Sequence, residues 1–254
     1  MKRIAVVGAS GRTGSLVASL LAVSPGPGLG AAIVSEGSSS LGRVVPGSEI
    51  SYSGDLKALE GCGGVIDFST AEVSPRVAKD CARLGVPLLV ATTGHSEEQL
   101  SVIQACAARV PLCVAGNTSV GATALGMVAE YARSILGEPF DVEVMEIHHR
   151  MKKDAPSGTA KSLTQGLVAD KSAVVVGRGG PRKSGEVGVV SVRGGDVVGD
   201  HTVFFLGEGE RLEITHRAQS REIFARGAVT LIQRLSKKPP GLYSVRELLL
   251  NESL

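Results

Sequence analysis

Tryptophan is absent from this chain and aromatic residues make up only 3% of it, which leaves few platforms for stacking nucleic-acid bases. A dominant charge is absent too: 27 Lys and Arg against 25 Asp and Glu give a formal +2, too small and too evenly spread for a nucleic-acid surface. No apolar run reaches membrane-spanning length. The stretch from Met1 through Ile4-Ala5-Val6-Val7 to Gly8 is too short for a secretory signal core, so neither membrane insertion nor export is expected. Cysteine is scarce. Cys62, Cys81, Cys106 and Cys113 lack C-x-x-C spacing and lie in apolar segments, so buried free thiols in a reducing cytoplasm are expected rather than disulfides or a zinc site. What is plentiful is apolar residues, 43% of 254, enough for a core in one large domain or two modest ones. The balance points to small-molecule chemistry.

The first half alternates short β-branched or leucine-rich runs with longer helical patterns, the mark of a parallel sheet with crossover helices. Strands are read at Arg3–Val7, Leu29–Val34, Gly64–Phe68, Val86–Thr92 and Pro111–Ala115. Helices are read at Glu72–Leu84, at Ser96–Arg109 with a Ser96-x-x-Gln99 capping box, and at Val120–Leu136. Then the rhythm changes. Four strand-like runs, Phe140–His149, Val187–Gly194, Asp196–Gly207 and Glu210–Ala218, suggest a mixed or antiparallel sheet and a second domain. Gly177–Gly188, rich in glycine and basic residues, reads as a mobile surface loop; Ser220–Leu235 and Ser244–Leu250 read as helices. The expected fold is α/β, with a dinucleotide-binding domain of residues 1–118 and 221–254 and a smaller α+β domain of residues 119–220.

Two regions carry chemistry. In the first, Arg3–Val7 leads into Gly8-Ala9-Ser10-Gly11-Arg12-Thr13-Gly14 and then a helical pattern. In such a strand–turn–helix unit, small residues let the backbone approach a pyrophosphate and the helix N-terminus favours its charge. Ala91-Thr92-Thr93-Gly94 and Ala115-Gly116-Asn117-Thr118 follow later strands, at the ends that line the ligand crevice of an open α/β sheet. The second region is Glu146–Ala160, EIHHRMKKDAPSGTA. Strand alternation makes His148 and His149 project oppositely, so one of them is favoured as a proton carrier, with Lys152 as a nearby point charge. Pro156 turns Ala155 away from helix and Ser157 is placed as an N-cap. Gly158 and Thr159 then offer their backbone N–H groups in a first turn, where an anionic carboxylate or phosphate binds. Adjacent histidines cannot easily ligate one ion, and no metal site is expected.

These segments, together with VIDFS, GNTSVGATAL and the run from Val192 to Arg221, make the chain resemble the dihydrodipicolinate reductases, more fully the 4-hydroxy-tetrahydrodipicolinate reductases of bacterial lysine and diaminopimelate synthesis. The resemblance implies a Rossmann-type nucleotide domain, a substrate domain with a mixed sheet that helps build a homotetramer, and hydride transfer from NADH or NADPH to a cyclic dicarboxylate imine. It implies His148 as proton donor and acceptor, Lys152 as second catalytic residue, and His149 with Gly158 and Thr159 as substrate contacts; Ser157, which caps that turn, is expected at the substrate with them. Residues Gly8, Ala9, Ser10, Gly11, Arg12, Thr13, Ala91, Thr92, Thr93, Ala115, Gly116, Asn117 and Thr118 fall where the family binds its cofactor. The chain departs from the family pattern at Ala91 (commonly Gly), Thr118 (commonly Phe) and Thr70 (often Arg). At the end of the second strand Val34-Ser35 replace the usual acid, which removes a group that would repel a 2′-phosphate. With Arg12 and the Ser38-Ser39-Ser40 run nearby, NADPH is expected to be modestly favoured over NADH, Glu36 pulling the other way.

Overall fold

The computed structural model describes residues 2–168 and 170–250. Contacts divide the chain into two compact units, Met1–Ser119 with Glu222–Leu254, and Val120–Arg221.

Unit one is a wholly parallel seven-stranded sheet: β1 (Ile4–Val7), β2 (Leu29–Ile33), β3 (Tyr52–Ser53), β4 (Gly64–Asp67), β5 (Leu88–Val90), β6 (Pro111–Val114) and, from the far end of the sequence, β12 (Gly241–Tyr243). Their order, β12-β6-β5-β4-β1-β2-β3, reverses direction beside β1, where a doubly wound sheet opens its crevice. The strands are apolar on both faces because both are covered. On one side Ile4, Val6, Ile66 and Leu89 pack with α1 (Gly14–Ala22), α6 (Glu222–Leu235) and α7 (Val245–Leu249). On the other, Ala5, Val7, Val65 and Val90 pack with α2 (Ser74–Leu84) and α3 (Glu97–Ala105). The Ser96–Gln99 capping box starts α3, whose predicted last turn is instead a 3₁₀ turn at Cys106–Ala108. All four cysteines are free; Cys106 is only half-buried, whereas burial was expected of it as of the others. Burial pushes the Cys113 thiol up to about 12, so it is not a nucleophile at neutral pH.

Unit two is a mixed sheet in the order β11-β10-β7-β9-β8. Its strands are β7 (Asp141–His148), β8 (Val174–Val176), β9 (Val187–Arg193), β10 (Gly199–Leu206) and β11 (Arg211–Ala218). β7 runs parallel to β9 and antiparallel to β10. One face packs Val142, Val144, Val203 and Phe205 against Leu125 and Ala129 of α4 (Val120–Leu136) and Leu163 and Leu167 of α5 (Gly158–Leu167). The other face exposes Val190 and Val192. The loop predicted to be mobile is tied down, and its last residues belong to β9. Arg178 pairs with Glu143 and Glu186, and Arg182 with Asp141 and Glu143. Glu143 lies over Gly188, where any Cβ would collide with its carboxylate.

No helix among the described residues is long and apolar enough to cross a membrane.

Candidate active site

In unit one the glycine turn is built by contacts no side chain would permit. Gly8 has φ +75°, and a Cβ there would stand 2.4 Å from the Phe68 carbonyl; a Cβ on Gly14 would stand 2.1 Å from the Gly8 carbonyl. The first fixes the turn against the end of β4, the second brings the start of α1 onto the turn. A cavity of about 690 Å³ opens here, lined by Gly8, Ser10, Gly11, Ser35, Glu36 and Arg76 among others. A neighbouring one of about 550 Å³ is lined by Arg12, Thr13, Ala91, Thr92 and Thr93, and the two share Phe68, Ser69, Thr70 and Glu72. This cradle, glycine-walled and lined by Arg12 and Arg76 beside Glu36 and Glu72, suits a dinucleotide.

The predicted cofactor residues divide between these cavities, with exceptions. Ala9 is buried beneath the turn, its N–H donating to the Ile33 carbonyl (3.0 Å). Ala115, Gly116, Asn117 and Thr118 follow β6 and line neither cavity; the Thr118 hydroxyl donates to the Phe224 carbonyl (2.7 Å). Arg12 does not share the cavity of Ser35; Arg76, on α2 and overlooked in the sequence, does. Asp67 was overlooked too. It is fully buried at the end of β4, and burial raises its carboxyl above the usual range while hydrogen bonds from Ser69 and Ser74 oppose the shift. Its Oδ1 accepts from the Ser69 N–H (2.9 Å) and its Oδ2 from the Ser74 hydroxyl (2.6 Å), shaping the segment shared by both cavities.

In unit two the second region assembles around β7. Val142, Val144, Glu146 and His148 all point to the helix-covered face, and strand register adds the rest: Arg193 of β9 lies opposite His148, and His201 of β10 opposite Glu146. His148 is buried; His149 lies just past the strand, half-buried, and its carbonyl accepts from the Lys152 N–H (3.1 Å). That turn brings Lys152 back, where its ammonium pairs with Asp154 at 2.9 Å. Ser157 is the N-cap of α5: its hydroxyl accepts from the Ala160 N–H (3.2 Å) and shares a hydrogen bond with His201 Nε2 (3.2 Å). Gly158 and Thr159 form the first turn above it, and nothing outside the adjoining residues and the helix's own backbone lies within 4 Å of the place a Gly158 Cβ would take.

Glu146 opens the predicted segment but was given no role there, and Arg193 and His201 had no signal in the sequence beyond their type. Glu146 is fully buried. Burial would raise its carboxyl, but hydrogen bonds from Arg193 above all hold it at about 2. Burial lowers the His148 imidazole, contact with Glu146 raises it, and Lys152 and Arg193 lower it; the net shift is downward. His201 stands edge-on to His148, ring centroids 5.2 Å apart, and burial first and His148 second bring it to about 4.

A glycine-turn nucleotide sheet, with a second unit that holds a carboxylate-backed histidine beside a lysine and a capped helix start, defines an oxidoreductase of the Rossmann class. Comparison makes the assignment particular. Residues 2–118 match the family described as Dihydrodipicolinate reductase, N-terminus, and residues 121–249 match Dihydrodipicolinate reductase, C-terminus. The chain is 40% identical over 269 residues to a 4-hydroxy-tetrahydrodipicolinate reductase of Anaeromyxobacter dehalogenans, covering 98% of each. It is 48% identical over 193 residues to a protein of the same name from Myxococcus xanthus, covering 73% of this chain and 71% of that one. The fold matches that of a dipicolinate-bound dihydrodipicolinate reductase from Paenisporosarcina sp. TG-14 with a TM-score of 0.81, at 24% identity and over 98% of this chain and 100% of the other. The chain belongs to the dihydrodipicolinate reductase family.

Proposed function

We infer that this chain is a nicotinamide-dependent reductase of 4-hydroxy-tetrahydrodipicolinate in lysine and diaminopimelate synthesis. The observation that carries this is likeness along 98% of the chain to reductases of that name, in a protein whose H-H-x-x-K segment holds a buried His148 against a carboxylate. His148 is the proton donor and acceptor, at the carbon next to the one reduced. Lys152 balances negative charge that develops in the transition state. His149, Ser157, Gly158 and Thr159 hold the substrate's carboxylates, a role supported by the capped first turn of α5. Residues 8–13 and 91–93, most of which line the two cavities, and residues 115–118, which lie outside them, hold the cofactor, which when bound supplies the hydride.

Both NADPH and NADH serve, with NADPH modestly favoured. Val34 and Ser35 put no carboxylate at the end of β2, and Arg76 lines the same cavity as Ser35. The working form is a homotetramer in the cytoplasm. Val190 and Val192, exposed at 44% and 40% on the outer face of the second sheet, support the assembly, and the free thiols suit the compartment. The test generates the heterocycle from pyruvate and aspartate semialdehyde and follows nicotinamide absorbance, with material of measured solution mass. Turnover is expected, at four times 26.1 kDa, and His148→Gln should lower it by about two to four powers of ten. No turnover with either cofactor would end the reading, and a mass of 26.1 kDa would remove the tetramer.

A further inference from the structure

We propose that Glu146 is a positioning residue for the reaction: clamped by Arg193, it holds His148 in the tautomer that leaves Nε2 to carry the transferred proton. The proposal rests on the reading of His148 as the proton carrier.

The argument is one of saturation. An ionised carboxylate is an acceptor only, with about four lone-pair sites on its two oxygens. At Glu146 donors occupy all of them. Arg193 Nη1 donates to Oε2 (2.9 Å) and Nη2 to Oε1 (2.8 Å), a two-pronged fork; the Ser157 N–H donates to Oε1 (3.2 Å), and His148 Nδ1 pairs with Oε2. A carboxylate so engaged exchanges no proton with a substrate. Its partner at His148 Nδ1 must therefore be an N–H, and in the neutral ring Nε2 is the basic nitrogen. The fork is braced in turn: Arg193 also donates to the carbonyls of Asp154 (2.6 Å) and Val192 (2.8 Å).

The surroundings suit orientation more than a gain of basicity. The charged or titratable groups around His148 are Glu146 on its own strand, Arg193 on β9, His201 on β10 and Lys152 in the following turn. Arg193 neutralises the carboxylate that would otherwise stabilise imidazolium, so Glu146 supplies direction while its charge is offset. Room for the ring comes from Gly199, where a Cβ would stand 2.9 Å from His148 Nε2. The Ser157 N–H bond also ties this pair to the start of α5, which links the ring's orientation to the turn assigned to a substrate carboxylate.

Replacing Glu146 with Gln keeps the shape but offers one acceptor oxygen and an NH₂ group. It cannot satisfy both the Arg193 fork and the His148 Nδ1–H. Two measurements on the full chain decide the matter. In the unaltered protein, nitrogen-15 NMR of neutral His148 should show the proton on Nδ1; a proton on Nε2 overturns the proposal, and this reading needs no variant. In Glu146→Gln, kcat should fall at least about a hundredfold while the inhibition constant of pyridine-2,6-dicarboxylate changes less than about threefold. Unchanged kcat overturns the proposal, as does a parallel loss of kcat and inhibitor binding, which would mean a merely structural role. If the lone Arg193 charge unfolds that variant, Glu146→Gln with Arg193→Gln removes both charges and is read the same way. A protonated Nδ1 in a protein without reductase turnover would sink the functional reading and leave the tautomer intact.

Discussion

His148 and His201 share one sheet face and burial lowers both, yet their partners differ. His148 has a carboxylate partner on Nδ1, whereas His201 makes only a neutral hydrogen bond to Ser157 and faces His148, His216 and Lys152 with Glu146 as the lone opposing charge. A second imidazolium beside His148 is thereby disfavoured. Linkage makes this a statement about stability. With a folded value near 4 against 6.5 unfolded, the unfolded chain takes up a proton that the folded chain refuses, so stability is full above about pH 6.5 and is lost as pH falls toward 4. The slope contributed by His201 is at most about 1.4 kcal/mol per pH unit. His148 and His216, also lowered by burial, add to it in the same direction. Denaturant unfolding across pH 4 to 6.5 should show this decline, and His201→Asn should flatten it; a wild-type curve without slope there would contradict the shift. Residue types were legible where they formed a tight run, as in His148, Lys152 and Ser157. Glu146 opens that same run and shares the face of His148 by alternation, but Arg193 and His201 were not legible, because only strand register brings them to it, and register is absent from a single sequence.

At the scale of elements, the long periodic segments and the apolar central strands were readable, while the shortest edge strands were not. α4 spans Val120–Leu136 as its Ala and Leu pattern predicts, and β7 keeps its alternation to His148. β3, β8 and β12 are two or three residues long, too short for any period to show, and each exists because a neighbouring strand offers an edge. The segment Gly177–Gly188 looked loose because glycine and charge usually mean solvent exposure. Its charges instead meet Glu143 and Asp141 across about 40 residues of chain, which composition cannot reveal. The start of α5 was the most legible junction: Pro156 stops the preceding chain and Ser157 caps the helix. If a substrate carboxylate rests on that first turn, planar pyridine dicarboxylates should inhibit competitively, since they copy the charge layout but do not readily accept hydride. Thr159→Val removes a hydroxyl there while keeping the branched shape, and should weaken inhibition about fivefold, the worth of roughly one hydrogen bond. A crystal with such an inhibitor seated away from Gly158 and Thr159 would show the helix start to be only a cap.

For the whole molecule, the choice of cofactor turns on a change that spares the fold. The doubly wound sheet, its glycine turn and its two cavities need only apolar strands and residues without side chains at Gly8 and Gly14, so they persist whatever ends β2. Discrimination between NADH and NADPH rests on the adenosine ribose, where a carboxylate at that strand end bonds a 2′-hydroxyl and repels a 2′-phosphate. Here Val34 is buried and Ser35 is uncharged, so the repulsive element is missing. Arg76 and Glu36 line the same cavity and act in opposition: a guanidinium suits a 2′-phosphate, a carboxylate suits a hydroxyl pair. Arg12 lines the neighbouring cavity with Thr92 and Thr93, a setting better matched to a pyrophosphate than to the ribose. The expected result is a kcat/KM ratio of a few-fold for NADPH over NADH, shrinking in high phosphate as free phosphate competes for the cation, as weak surface charge pairs require. Arg76→Ala should lower kcat/KM for NADPH alone, and Glu36→Gln should widen the ratio. A tenfold or greater advantage for NADH would show that Glu36 has taken over the missing acid's part.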